Sequence, residues 1–234
     1  MPILAAMQSA AIRLMGQKPS VFFGASQSFE IEISDLVNEV ARDVVASADW
    51  QALTGVGIIE GDGSTTEFDL PADYDKMTVT AGVQDTSTWF WGYWAMTDIT
   101  QFLYRQSIGF QPYPGGWIIY GGKMRFVPAP PSGQNATFPY VSRNYAWDSG
   151  TLETKPAFTS DSDEFLLPER LLTLGLVWRW RENKKLDFTG DQEAFMKAIG
   201  EYAAKDKGTR IYRRSSYTRM PGTYPAWPWA LGPA

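Results

Sequence analysis

The sequence predicts an α+β fold: a four-helix bundle formed from both ends of the chain, an inserted antiparallel β domain, and an extended C-terminal tail. Three observations carry this reading. Apolar residues recur at helical spacing in residues 3–53 and again in 161–208. Between them, Thr54 to Phe158 is rich in Gly, Pro, Thr and aromatics and has no strong helical period. After Gly208 the chain holds four prolines and no acidic residue, and proline fixes φ and removes a backbone donor. The expected boundaries are 1–53, 54–160, 161–208 and 209–234.

In order, Ile3, Leu4, Met7, Ala10, Ala11, Leu14 and Met15 predict a first helix stopped by Gly16. Lys18 to Ser28 reads as a loop. A second helix is expected from about Phe29 to Ala48, with Ser28 as its cap, Glu30 and Glu32 at its positive end, and Ile33, Leu36, Val37, Val40, Ala41, Val44 and Val45 as its stripe. In the middle region, Ile58-Ile59 and Thr66–Leu70 flank Glu60-Gly61-Asp62-Gly63, which predicts a hairpin. Met77–Val83 alternates as a strand, and Thr97–Gln106 is expected to form a short helix. Trp117–Tyr120 and Lys123–Val127 flank Gly121-Gly122, a second hairpin signal. Thr137–Tyr145 follows the turn Pro130-Pro131-Ser132-Gly133. The region predicts five or six short strands. Helix returns at Pro168 with Leu171, Leu172, Leu174, Val177 and Trp178 on one face. The last helix opens on Thr189-Gly190-Asp191-Gln192, a capping-box pattern, carries the stripe Phe195, Met196, Ile199, Tyr202 and Ala203, and is expected to end at Gly208. Neither pair of helices is long enough to bury its own stripe, so one bundle drawn from both ends is expected.

Composition removes several classes of chemistry. The chain has no cysteine and no histidine. That leaves no disulfide framework, no thiol nucleophile, no Ser–His or Cys–His pair and none of the commonest metal ligand. No GxxxxGK[ST] loop occurs. No cofactor is expected. The N-terminus lacks the basic start of a signal peptide, and no apolar run approaches a membrane span. Carboxylate-only chemistry would fall to Asp69, Asp73 and Asp75, or to Asp161, Asp163 and Glu164. Turn closure accounts for the first group and helix N-terminal charge for the second more simply.

Two segments point to interfaces. The block Trp89-Phe90-Trp91-Gly92-Tyr93-Trp94 presents more aromatic surface than one strand face can bury. A contact with a neighbouring subunit or tail component is favoured over a sugar platform built on Trp89, Trp91 and Trp94, because large aromatic patches mostly mark protein interfaces. The second segment is the tail. Net charge is −5, yet from Lys205 onward there are six basic residues and one acid. Arg210, Tyr212, Arg213, Arg214, Tyr217, Arg219, Tyr224, Trp227 and Trp229 are candidate anchors. Rings among prolines gain roughly 1.5–3 kcal/mol each when buried, so the tail is expected to lie on another subunit. Four arginines on an acidic body would hold DNA only weakly.

Several scaffold motifs resemble those of the head-to-tail adaptor proteins of tailed bacteriophages. They are Asp49, Trp50 and Leu53 after the second helix; Leu70, Pro71, Asp73 and Tyr74 in FDLPADYDKM; Leu167, Pro168, Glu169 and Leu171 opening the third helix; and GGKMRFVPAPPSGQNATFPYVSRN at 121–144. The resemblance covers most of residues 1–207. It implies a structural, non-enzymatic virion protein forming an oligomeric ring, usually of twelve copies, assembled in the host cytoplasm. The ring would bind the portal protein, present a surface to a tail or nozzle protein, and pass genome DNA without sequence-specific binding. No membrane partner is implied. The alternative reading is a carbohydrate-binding or glycan-cleaving tail component.

Overall fold

The computed structural model describes residues 2–78, 82–85, 92–108 and 115–206. It is mixed α+β, with five α-helices and eleven short strands among the described residues. In chain order these are α1 (Ile3–Met15), α2 (Ser28–Ser47), β1 (Thr54–Glu60), β2 (Glu67–Asp69), β3 (Tyr74–Met77), β4 (Gln84–Asp85), β5 (Trp94–Ala95), α3 (Ile99–Ser107), β6 (Gly116–Tyr120), β7 (Lys123–Val127), β8 (Asn135–Ser142), β9 (Ala146–Asp148), β10 (Glu153–Lys155), β11 (Glu164–Phe165), α4 (Glu169–Asn183) and α5 (Thr189–Asp206).

The two ends of the chain meet in one core. α4 packs against α1, α2 and α5. Ile3, Met7, Ile33, Val37, Val40, Leu171, Leu172, Leu176 and Phe195 are buried in the same apolar cluster. The small sheet β10-β9-β11 joins it through Tyr145, Ala146, Phe158 and Phe165. α1 stops where the sequence predicts: Gly16 adopts φ 70° and its N–H donates to Ile12 O at 3.0 Å. The other caps differ from expectation. Ser28 is the first residue of α2 and makes no capping bond. Thr189 likewise lies inside α5. Gln192 N–H donates to Phe188 O, and the Asp187 carboxylate accepts from Thr189 N–H, so that turn is closed one or two residues earlier than the capping box implies. In the α5 stripe Phe195 is buried, but Met196 is 60% exposed, and Ala198 takes an inward position instead. Gly208 lies outside the described residues.

The middle region folds around a second core. β1-β8-β3, with β4 also on β8, faces β2-β7-β6-β5. Ile59, Val83, Tyr93, Trp117, Met124, Phe126, Phe138 and Tyr140 fill the space between. The Gly121-Gly122 hairpin forms as read. Tyr120 pairs with Lys123, and both glycines take positive φ, 62° and 75°, as a two-residue turn of that hand requires. The other predicted hairpin does not form. β1 pairs with β8 along its whole length, from Thr54↔Val141 to Glu60↔Asn135, while β2 pairs with β7. The Glu60–Gly63 turn therefore carries the chain from one sheet to the other. Asp62 closes it by accepting from the N–H groups of Ser64 and Thr65. Of the expected Met77–Val83 strand, Met77 ends β3 and Val83 makes an isolated bridge to Tyr93 just before β4, while residues 79–81 lie outside the described residues. β8 ends at Ser142, and not at Tyr145 as predicted: Tyr145 has turned away into the helical core. Within β8, buried Tyr140 faces the second core and adjacent Val141 the first, so this one strand links them.

Candidate interaction surfaces

Of the predicted aromatic block, Trp89, Phe90 and Trp91 lie outside the described residues. Tyr93 and Trp94 are resolved and point opposite ways, as neighbours on a strand must. Tyr93 is buried edge-on against Phe126, with centroids 5.1 Å apart. Trp94 is 62% exposed, and Arg105 stacks its guanidinium on the indole at 4.6 Å. β5 holds Trp94 in place by parallel pairing with β6, where Trp94 meets Gly116.

Beside Trp94 runs α3, capped by Asp98, whose carboxylate accepts from Thr100 N–H at 2.8 Å. Only Phe102 of this helix is buried, against Met96, Ile118, Val127 and Tyr120. Ile99, Leu103 and Tyr104 face outward. Their exposed apolar surface is a feature that the sequence reading did not single out. Its signal was present in the spacing of Ile99, Leu103 and Tyr104, but a nine-residue helix with one inward residue gives too short a period to separate outward from inward.

The candidate tail residues Arg210, Tyr212, Arg213, Arg214, Tyr217, Arg219, Tyr224, Trp227 and Trp229 lie outside the described residues. The point from which the tail departs is defined. The carboxylate of Asp206, the last residue of α5, accepts from Gln51 N–H at 2.7 Å. Around it Trp50, Ala52, Leu166, Leu167, Pro168, Tyr202 and Lys205 line an open groove of about 330 Å³. Residues 207–234 contain five basic residues and no acid, which leaves residues 1–206 at −10 against −5 for the whole chain.

The acidic clusters are occupied by the scaffold. Asp163 is fully buried, accepts from Thr159 and Ser160 N–H at 2.7 and 3.0 Å, and lies 2.9 Å from Lys155 Nζ. Burial alone would depress the Lys155 ammonium, but its bonds to Asp163 and Asp148 outweigh that and raise it above the ordinary lysine value. Asp161 ties the loop before α2 to the helical core by accepting from Phe22 and Phe23 N–H. Neither therefore supplies charge to the start of α4, as the sequence suggested. Asp73 accepts from Tyr140 Oη at 2.8 Å, and Asp69 lies 3.5 Å from Lys123. Among the described residues no group of three or more acidic side chains is arranged to hold a metal ion, and no helix is long and apolar enough to cross a membrane.

No curated protein sequence matches the chain. The family described as SU10 adaptor protein matches residues 2–223, which takes in both cores and residues 209–223 of the tail. The chain thus belongs to the SU10 adaptor protein family, a family of tailed-phage adaptors.

Proposed function

We propose that this protein is the head-to-tail adaptor of its virion, a closed ring of twelve copies that joins the portal to a tail or nozzle protein and extends the DNA channel. The family match over residues 2–223 carries this reading. In the ring, α1, α2, α4 and α5 act as one four-helix bundle. The β region projects as an insertion that meets a neighbouring copy or the tail through exposed apolar residues, Trp94 on β5 and Ile99, Leu103 and Tyr104 on α3. The basic tail docks on the portal through its arginines and rings. The acidic body suits a channel through which DNA slides without sticking, since like charge repels the phosphate backbone.

Portal binding tests the tail. A chain truncated after Gly208 is expected to bind its cognate portal at least about a hundredfold more weakly than the full chain, the loss of roughly two buried anchors. Undiminished binding would remove the tail from the mechanism. Negative-stain images of the full chain mixed with portal are expected to show a ring coaxial with it.

A further inference from the structure

The β9–β10 hairpin carries a knob at its tip and a socket at its base. At the tip, Leu152 holds a left-handed backbone, φ 58°, and is 67% exposed. That backbone is unfavourable for a bulky residue, and the turn imposes it. The Asp148 carboxylate accepts from the N–H groups of Gly150 and Thr151 at 2.8 and 3.3 Å, and Leu152 N–H donates to Asp148 O at 2.9 Å. The turn therefore presents Leu152 to solvent on a fixed frame, and Glu153, next along the chain, is exposed as well.

At the base, Tyr145 and Pro156 flank the hairpin and line a groove of about 360 Å³ between α2 and the end of β8. Val45 and Ala46 of α2 complete its apolar wall, and exposed Arg42, Arg143 and Asp75 give it two positive charges and one negative. Both arginines are held. Arg143 Nη2 donates to Ala72 O at 2.6 Å, and Arg42 donates to the Tyr145 hydroxyl, which itself donates to Asn38 Oδ1 at 3.0 Å. A locally positive, apolar groove on a body of charge −10 fits a ligand with an apolar side chain beside a carboxylate. The residues outside the described ones contain no Asp or Glu, so they bring no acidic side chain to it.

We propose that Leu152 and Glu153 of one copy seat in the Arg42–Arg143 groove of the next, Leu152 against Val45, Tyr145 and Pro156, and the Glu153 carboxylate facing the two guanidinium groups. The tip does not reach its own groove. The register from Glu153↔Asp148 to Lys155↔Ala146 is three pairs long, which at about 3.4 Å per residue sets tip and base roughly 10 Å apart. Each copy thus offers one knob and one socket on different ends of the same element. A contact of that kind is head-to-tail, and it closes into a ring when its rotation divides the circle. The inference rests on the ring reading above and names one contact within it. The acidic bodies of neighbouring copies repel each other on average, so a cationic groove that accepts a neighbour's glutamate also fixes the register of the contact.

The chain has no cysteine, so an introduced pair reports cleanly. In the full chain assembled with its cognate portal, Leu152→Cys with Ala46→Cys is expected to give, under mild oxidation, a ladder of cross-links running past dimer mass. It should form about tenfold faster than with the control pair Leu152→Cys and Lys197→Cys, whose second site is on the exposed side of α5. Rates equal to the control, or cross-links confined to monomer mass, overturn the proposal. Leu152→Asn separates interface from fold, because asparagine tolerates the left-handed backbone. It is expected to leave the protomer's unfolding midpoint unchanged or higher while weakening self-association at least about tenfold in sedimentation, and undiminished association counts against the contact. Arg42→Glu and Glu153→Arg are each expected to weaken association about tenfold, and the two together to recover to within about threefold of the natural chain. A double variant no better than either single one removes the pairing. Arg42→Glu that weakens portal binding while copies still associate would place an acidic portal segment in the groove instead. A ring seen in images whose copies do not cross-link sinks this contact and leaves the ring, whereas the absence of any ring sinks both.

Discussion

At the scale of single residues, the polar groups that look chemically inviting are doing structural tasks, and the Tyr140–Asp73 pair shows how this can be measured. The Tyr140 hydroxyl is pushed up to about 12, first by burial and then by its bond to the Asp73 carboxylate. An unfolded tyrosine ionises near 10. This group therefore contributes its full stability below pH 10, and the contribution is lost as the pH rises from 10 through 12. Tyr140→Phe removes the bond and is expected to cost about 1–2 kcal/mol at pH 8. The difference from the wild-type chain should close by pH 12, which urea denaturation at pH 8, 10 and 12 would reveal. A difference that stays constant across that range would mean that the hydroxyl and carboxylate are not coupled. Asp163 makes the complementary point: a DSDE run in the sequence looks like surface charge, yet its third residue is sealed in the core between backbone donors and Lys155. Local pattern cannot distinguish these, because the partners Lys155 and Thr159 are placed by the fold of the loop between them.

At the scale of elements, α4 packs against the three other helices of the core, and Gly175 lies where it meets α2 and α5 without room for a side chain. A Cβ there would lie 2.3 Å from Val40 Cγ1 on α2 and 3.0 Å from Phe195 Cε2 on α5. Both neighbours are buried and have nowhere to move. On an open helix Gly→Ala stabilises by about 1 kcal/mol. Here overpacking, typically 1–3 kcal/mol, opposes it, and Gly175→Ala is expected to lower stability by about 1–2 kcal/mol in thermal or urea unfolding. A stabilised variant would mean that the three helices are packed more loosely than their contacts indicate. The sequence shows apolar stripes on α2 and α4 but not which residue allows them to touch. The same division runs through the β region. Gly121-Gly122 was legible because a two-residue turn needs positive φ at both positions and joins neighbours in one sheet. Glu60–Gly63 has similar letters, yet the strands on either side have better partners far along the chain: β1 lies on β8 because its glycines receive the Phe138 and Tyr140 rings. Such pairing depends on shape across some eighty residues, which local spacing does not encode. The apolar face of α3 was hidden for the related reason that exposure is a tertiary property.

At the scale of the whole molecule, the question is whether the two cores are separable. The chain leaves the helical core at Leu53 and returns near Ser142, and those points are adjacent because Thr54 pairs with Val141 at the base of the β1–β8 ladder. Everything from Tyr145 onward that is buried, including Ala146, Phe158 and Phe165, belongs to the helical core. Among the described residues, the groups at the seam include Val141, buried on the helical side, Lys76, which lies 3.0 Å from Asp49, and Asp75, which lines one groove with Arg42 and Val45. Replacing residues 54–142 with a short Gly-Ser link is therefore expected to leave a folded helical protein. Losing Val141 should cost about 1–3 kcal/mol through the cavity it leaves, while the Lys76–Asp49 pair, open to water on its lysine side, should contribute about 1 kcal/mol or less. Circular dichroism at helical wavelengths should show one cooperative urea transition, with a lower midpoint and a smaller slope in proportion to the surface removed. A broad, non-cooperative transition would show instead that the helices need the β region to hold α2 against α4. If the shortened chain folds, the protein is two units joined at one narrow seam, and the β insertion can vary in sequence without undoing the helical core.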